Sequence, residues 1–303
     1  MSLDFVLRVN NKDYQNWVKA GLCLSFVAED LRPFVEEQMR DFHRDLLRGN
    51  PGLQERCEKS CPPNHVQFSK ACRPCLEWKS EILKNHRQRD PKLKWGNCNP
   101  PAWRTDYWEL AKAYMPQGQL RMRAANEFDA SALLNLVNYC DRFPPVDVNT
   151  GPVKEMIRCR NDLMHSAKLL VTDAWMKNFK DVMARFFELF RHVPSMAQTE
   201  EKIHEALAYN ISSHLLGAIV FECSSTDTVV TDGLEKGSGS LFSLENIRQR
   251  EADLLQERVW EMRHRAEEDE IDTEQLTTLE HFLQTHNTPM SMPGLFTAFQ
   301  LKT

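Results

Sequence analysis

The chain has 303 residues, of which 42% are hydrophobic and 27% charged, and its formal net charge is −5. This length allows one large domain or two modest ones. The small negative charge excludes bulk electrostatic attraction to nucleic acid or to membranes. Only 11 residues are glycine, and long stretches of helical periodicity predict a mainly α fold.

The N-terminus and the apolar runs indicate an intracellular protein in the cytoplasm or nucleus, with no membrane partner. We find no basic region followed by an apolar one, as in a secretory signal. The longest apolar run, residues 215–221, is too short to cross a bilayer. In a reducing compartment we expect the nine cysteines to be thiols or metal ligands and not disulfides.

Residues 3–49 have the apolar spacing of helices that pack in a core. Gly21 is a candidate break in this run, and Gly49-Asn50-Pro51 is a typical helix end. We predict a packing role for this segment and no chemistry.

The segment 51–104 is rich in cysteine and contains the pair Cys72 and Cys75. Their C-x2-C spacing lets two thiolates bind one tetrahedral zinc ion. The predicted ligands of a structural zinc ion are Cys61, Cys72, Cys75 and Cys98. The reserve ligands are Cys57 and His86. Four protein ligands leave no open position for water, and the metal would stabilise a segment with little apolar core. The alternative is a group of unliganded thiols in an irregular insertion.

The same segment carries 11 Lys and Arg residues against 5 Asp and Glu, a local charge of +6. Three tryptophans, Trp78, Trp95 and Trp103, are interleaved with these basic residues. Basic groups that meet phosphates and aromatic rings that stack on bases are typical of proteins that bind single-stranded RNA. The alternative is a solvated basic face with the tryptophans in the core.

Helical periodicity resumes in residues 106–142 and in two helices between Gly151 and Pro194. The first of these two helices has an apolar stripe that includes Val153 and Met164, and Arg160 lies on this stripe. A guanidinium stays protonated, so burial without a partner costs several kcal/mol, about the penalty of a buried ion. We therefore expect either a carboxylate partner or a task that needs a fixed cation.

Arg160, Asn161 and His165 together form an Arg-Asn-x3-His motif on this helix. The motif resembles the signature of HEPN domains, which are small helical bundles that often dimerise and in many members cut RNA without a metal. The resemblance implies that Arg160 holds the scissile phosphate, Asn161 orients it or the imidazole, and His165 transfers protons, across a homodimer interface. Alternatively, Arg160 pairs with a buried carboxylate such as Glu155 or Asp129, and the bundle is a non-catalytic adaptor that recruits protein partners.

Residues after Pro194 change in character. We predict a connecting helix in 195–223, a flexible linker in 224–240, and an acidic helical region in 241–303. This last region has 6 Lys and Arg against 12 Asp and Glu. Its amphipathic helix from about 243 to 270 is a candidate for binding protein partners or for coiled-coil pairing, and a shorter helix is predicted in 272–286.

The full prediction is thus a HEPN-like helical domain in 1–194, with the cysteine-rich insertion, followed by a C-terminal helical tail. Over most of its length the chain also resembles a vertebrate family whose human member is named as an X-chromosome open reading frame. The stretches that carry this resemblance are 16–21, 72–78, 95–98 and 109–113. This second resemblance implies no mechanism.

Overall fold

One long helix, α1 (Lys12–Gly49), is the element on which most other helices pack in the computed structural model of the chain. The structure describes residues 7–63, 66, 70–88, 93–143, 151–166, 168–209, 211, 244–265, 276–277 and 280. Within these ranges the regular elements are helices and short 3-10 turns, without a strand, so the mainly α prediction is confirmed. No helix in this described part of the chain has both the length and the apolar character needed to span a membrane.

The other helices follow α1 in chain order. They are α2 (Arg73–Lys84), α3 (Tyr107–Ala111), α4 (Ala130–Tyr139), α5 (Pro152–His165), α6 (Asp173–Leu189), α7 (Pro194–Ala208) and α8 (Leu244–Arg265).

Helix α1 starts at Asn11, whose side chain accepts hydrogen bonds from the N–H groups of Asp13 and Tyr14. It ends at Asn50, one residue before a proline, as predicted. Gly21 does not break the helix, although a glycine in a helix interior costs about 1 kcal/mol relative to alanine. Tertiary contacts offset that cost: the residues around Gly21 are buried, and the side chain of Leu254 packs directly on the glycine.

Helices α5 and α6 form an antiparallel pair. The indole of Trp175, near the start of α6, donates to Asp162 near the end of α5, and Arg185 near the end of α6 pairs with Glu155 near the start of α5. Both helices pack on α1, where the Trp17 indole donates to the carbonyl of Leu163 at 3.0 Å.

Two further helices complete the described bundle. α7, the first part of the predicted connecting helix, is fixed to α1 through Asp30, which accepts from Thr199 at 2.8 Å and pairs with Lys202 at 3.0 Å. α8 packs on α1 and α5 of its own chain. The linker predicted in 224–240, and all but three residues of the helix predicted in 272–286, lie outside the described residues.

Asn97 lies in the loop that precedes α3, is buried, and fixes the chain segment that follows α3. Its side-chain nitrogen donates to three backbone carbonyls at 2.8 to 3.3 Å, and its oxygen accepts from two backbone N–H groups at 2.9 and 3.1 Å. The partners are Lys112, Met115, Pro116, Gly118 and Gln119.

A buried ion pair lies beside this loop. The Glu109 carboxylate accepts from Lys112 and Arg123, both at 2.7 Å, and from the N–H of Asn99 at 2.7 Å. Glu109 and Lys112 are buried, and close pairing is what makes two charges tolerable in a core. Two of the stretches that carry the second resemblance, 95–98 and 109–113, therefore supply one hydrogen-bonded unit.

Replacing Asn97 by alanine should lower the free energy of unfolding by at least ~2 kcal/mol, because it leaves several buried backbone groups without partners. The matched control is Asn99→Ala, two residues away, where the side chain is exposed. Chemical denaturation should show a change within ~0.5 kcal/mol for that control. Equal stability of the two variants would contradict a structural role for the Asn97 amide.

Candidate functional site

Four cysteine sulfurs come together at the start of α2. The ligand atoms of Cys57, Cys61, Cys72 and Cys75 all lie within 4.8 Å of one another, and no other such group of ligands occurs among the described residues. Cys72 is the N-cap residue of α2, which places Cys75 in the first turn of the helix. Cys57 is half-buried, and the other three are buried.

The donor set fits a tetrahedral zinc ion. Zn–S bonds of about 2.3 Å place tetrahedral sulfurs roughly 3.8 Å apart, and the sulfurs of Cys57 and Cys72 are separated by 3.7 Å. Two backbone N–H groups point at sulfurs: that of Cys61 at Cys57 (3.3 Å) and that of Cys72 at Cys61 (3.2 Å). Such hydrogen bonds stabilise thiolates, which are the form that binds metal.

The thiols of the cluster differ in pKa. Burial opposes ionisation of Cys72, but backbone hydrogen bonds from Cys75 and Glu58 lower its pKa to about 7. Burial raises the pKa of Cys75 above its usual range, with the neighbouring thiols adding to the effect. One thiolate thus forms readily near neutral pH, and a dication would favour ionisation of the others.

Cys98, one of the four predicted ligands, is outside this group, and Cys57 is the fourth sulfur instead. Cys98 follows the Asn97 loop and is completely buried, and burial together with the nearby Glu109 carboxylate raises its pKa above the usual range. The reserve ligand His86 is also elsewhere, stacked between the rings of Tyr114 and Tyr139. Neither residue belongs to the group whose ligand atoms lie within 4.8 Å of one another.

The tryptophans of the basic segment are in the core. The exposed fractions of Trp78, Trp95 and Trp103 are 2%, 8% and 0%. Trp78 stacks on His43 of α1, and Trp103 donates its indole N–H to the carbonyl of Glu109. These rings are therefore not available for stacking on bases, and the alternative interpretation of the segment fits the structure.

Arg160 of the Arg-Asn-x3-His motif is enclosed and paired with carboxylates. Its side chain is 1% exposed, and its guanidinium forms ion pairs with three of them. Asp129, the N-cap residue of α4, lies 3.1 Å away, and Glu257 and Glu261 of α8 are also in contact. The buried-carboxylate alternative named Asp129 correctly, whereas Glu155 pairs with Arg185.

The charges of this cluster do not balance. Three carboxylates surround one guanidinium, so two negative charges remain when all are ionised. Burial alone would lower the pKa of Arg160, but the carboxylates raise it well above the usual range. Burial and the neighbouring Asp129 raise the pKa of Glu257 to about 8, against the opposing effect of Arg160. The net result is that Glu257 takes up a proton more readily than an ordinary glutamic acid.

The other two residues of the motif do not share the enclosure of Arg160. Asn161 is half-buried, and His165 is exposed. Five residues along an α-helix correspond to a rotation of about 140°, so Arg160 and His165 point to different sides of α5. The described chain therefore does not bring the guanidinium and the imidazole to one open groove.

Sequence reasoning did not identify Glu257 and Glu261, which lie about a hundred residues from Arg160 in the chain. The sequence did contain one signal that points to these two glutamates. The two glutamates are four residues apart, so they share one face of an amphipathic helix, and Arg160 needed a carboxylate.

Comparison of the sequence with known proteins places the chain in one family. The sequence model described as "Domain of unknown function (DUF4559)" matches residues 8–291. The chain is 36% identical over 278 residues to the "Uncharacterized protein CXorf38 homolog" of Mus musculus, and the alignment covers 90% of this chain and 83% of that relative. No solved structure matches the chain.

Replacing Arg160 by alanine should lower the free energy of unfolding by roughly 3–5 kcal/mol, because it leaves three carboxylates without their cation. For a chain of this size the melting temperature should fall by about 10 °C. Arg158→Ala is the matched control, since Arg158 lies on the exposed side of the same helix. A melting temperature of Arg160→Ala equal to that of the control would show that the cluster is not structural.

The raised pKa of Glu257 makes stability depend on pH. A carboxylic acid whose folded-state pKa is raised contributes stability that is complete below its unfolded value of 4.5 and is lost as the pH rises through about 8. Glu257→Gln, which mimics the protonated acid, should therefore gain stability relative to the native chain between pH 6 and pH 9. Chemical denaturation of both proteins at the two pH values measures this. A constant difference between them would rule out titration of Glu257 in this window.

Proposed function

We propose that this chain, which belongs to the family described as "Domain of unknown function (DUF4559)", is a non-catalytic helical adaptor that recruits protein partners. The single observation that carries this proposal is the state of Arg160. A phosphate-binding arginine has to present its guanidinium to a ligand, and this guanidinium is buried against three carboxylates of the same chain.

The bundle suits such a role. We interpret the antiparallel pair α5 and α6, with the Arg-Asn-x3-His motif on α5, as a HEPN-like unit of the non-catalytic kind that the resemblance includes. Its arginine fixes helices, where a nuclease would use it to hold RNA.

An RNA assay separates adaptor from nuclease. Purified native chain, Arg160→Ala and His165→Ala are incubated with single-stranded RNA in EDTA, and we expect no cleavage by any of the three. Cleavage by the native chain that is lost in His165→Ala would overturn the adaptor proposal. In parallel, affinity purification from cells should recover protein partners whose yield is unchanged by ribonuclease treatment. Recovery of no reproducible protein partner would also reject the adaptor.

We also propose that Cys57, Cys61, Cys72 and Cys75 hold one structural zinc ion. Support comes from four sulfurs that lie within 4.8 Å of one another, from the 3.7 Å between the sulfurs of Cys57 and Cys72, and from N–H groups that point at two of the sulfurs. Four thiolates would leave no open ligand position. The metal would link the loop before α2 to the first turn of α2. It would have no catalytic part.

Elemental analysis of protein purified without added metal should give about one zinc per chain, as a four-thiolate site predicts. Cys57→Ser and the double variant Cys72→Ser, Cys75→Ser should each reduce the zinc content strongly. Cys98→Ser is the matched control and should leave it unchanged. Loss of zinc in Cys98→Ser but not in Cys57→Ser would restore the ligand set predicted from the sequence.

A further inference from the structure

The surface of the bundle beneath α8 has two positions without a side chain. An added Cβ atom at Gly21 would lie 2.4 Å from the side chain of Leu254. At Gly118, which has the left-handed φ of +105°, an added Cβ atom would lie 2.4 Å from the ring of Trp260. Two apolar residues of α8 therefore enter notches that exist only because both positions are glycine.

Two arginines of the same surface pair with glutamates of α8. Arg8 pairs with Glu251 at 3.2 Å, and Arg160 pairs with Glu257 and Glu261. Glu251 is buried in this contact. The acidic residues of α8 thus face the two arginines that line this part of the bundle.

Arg258 is also buried in the docked face of α8, where it donates to the carbonyl of Ser166 at 2.9 Å. Apolar residues complete this face. The buried ones are Ile247, Leu254, Leu255 and Val259. Asn246, Arg248 and Gln249 are exposed on the other side of the helix. The surface formed by α1, α5 and Gly118 is thus shaped and charged for an amphipathic helix with acidic residues along its apolar face.

The fit of α8 to this surface is incomplete. The Nε atom of Arg160 and the Oε2 atom of Glu261 are buried and have no hydrogen-bond partner among the described residues. Three carboxylates also share one guanidinium. A half-satisfied polar network costs stability, so a helix with better matched polar groups can compete with α8 for the same place.

We propose that this surface is a binding groove for an amphipathic helix of a partner protein that carries glutamates along its apolar face, and that α8 occupies it until the partner displaces it. The inference rests on the proposed adaptor function and names the site that the adaptor uses. A helix suits the groove better than RNA does, since phosphates could meet Arg8 and Arg160 but would leave the apolar notches at Gly21 and Gly118 unfilled.

The test opens the groove in the full chain. The double variant Ile247→Asp, Leu254→Asp places charges at two buried positions of α8 and leaves the groove residues unchanged. The control variant Asn246→Asp, Gln249→Asp adds the same charge at exposed positions. The probe is a fluorescein-labelled peptide of residues 244–265, and binding is measured by fluorescence anisotropy.

We expect the opened chain to bind the peptide at least ~10-fold more tightly than the control variant, whose own helix competes at high effective concentration. A peptide with Glu251 and Glu261 replaced by glutamine should bind the opened chain several-fold more weakly, because both carboxylates pair with arginines of the groove. Failure of a folded opened chain to bind, or equal binding of both peptides, would overturn the proposal. If the opened chain binds single-stranded RNA and not the peptide, the surface is an RNA site and the proposal is wrong. If the native chain forms a dimer with exchanged α8 helices, the surface serves self-association and the proposal is also wrong.

If the opened chain does not fold, the native chain provides the measurement. The peptide carries Arg263→Lys, so that its mass differs from that of the same segment in the chain. Excess peptide should displace α8 and raise the amide hydrogen exchange of residues 244–265 in the chain. Unchanged exchange rejects the groove. Neither measurement uses a cellular partner, so the groove proposal and the adaptor proposal can be rejected separately. Partners can be recovered from cells even if the peptide does not bind, and the peptide can bind even if no partner is recovered.

Discussion

The burial of one permanent positive charge joins three of the described helices at one point. Arg160 lies on the apolar stripe of α5 and is 1% exposed, so its guanidinium must find acceptors within the fold. It finds one at the start of α4 and two on α8. Three elements that are distant in the chain are thereby held at one point, and the C-terminal helix packs where the arginine requires a counter-charge.

Two buried ionic clusters in this chain differ in an instructive way. Glu109, Lys112 and Arg123 come from a short stretch of sequence, and the neighbouring Asn97 amide satisfies the backbone around them. The Arg160 cluster recruits carboxylates from a remote helix and leaves buried atoms without partners. A saturated local network is suited to fixing a fold, whereas an unsaturated network across a helix contact is suited to exchange.

The sequence predicted the helices well and the contacts between them poorly. Local patterns located α1, α5, α6 and α8, because periodicity and caps are properties of neighbouring residues. Burial energetics also indicated that Arg160 needs either a carboxylate partner or a task for a fixed cation, and Asp129 was among the candidate partners. The glutamates of α8 were missed because no local pattern reports which distant face meets a given side chain.

The cysteine cluster shows the same limit on a shorter scale. The C-x2-C spacing identified Cys72 and Cys75, since both ends of that pair are set by one helix turn. The choice between Cys57 and Cys98 depended on the path of the chain, and Cys98 is committed to the core beside the Asn97 loop. Gly21 was a candidate helix break in the sequence for a related reason. The packing of Leu254 on Gly21 depends on the position of α8, which the sequence around Gly21 does not report.

The two candidate sites follow one physical principle: charged groups that are unfavourable when close together or buried alone are stabilised by a partner of opposite charge. Four thiolates in close contact repel one another and need a cation, and a buried guanidinium needs anions. The difference lies in the ligand. A metal held by four thiolates has no free position and exchanges slowly with the fold intact, whereas a helix that supplies carboxylates can be replaced by another helix of similar charge. On this contrast we propose an architectural role for the cysteine cluster and a recognition role for the α8 surface.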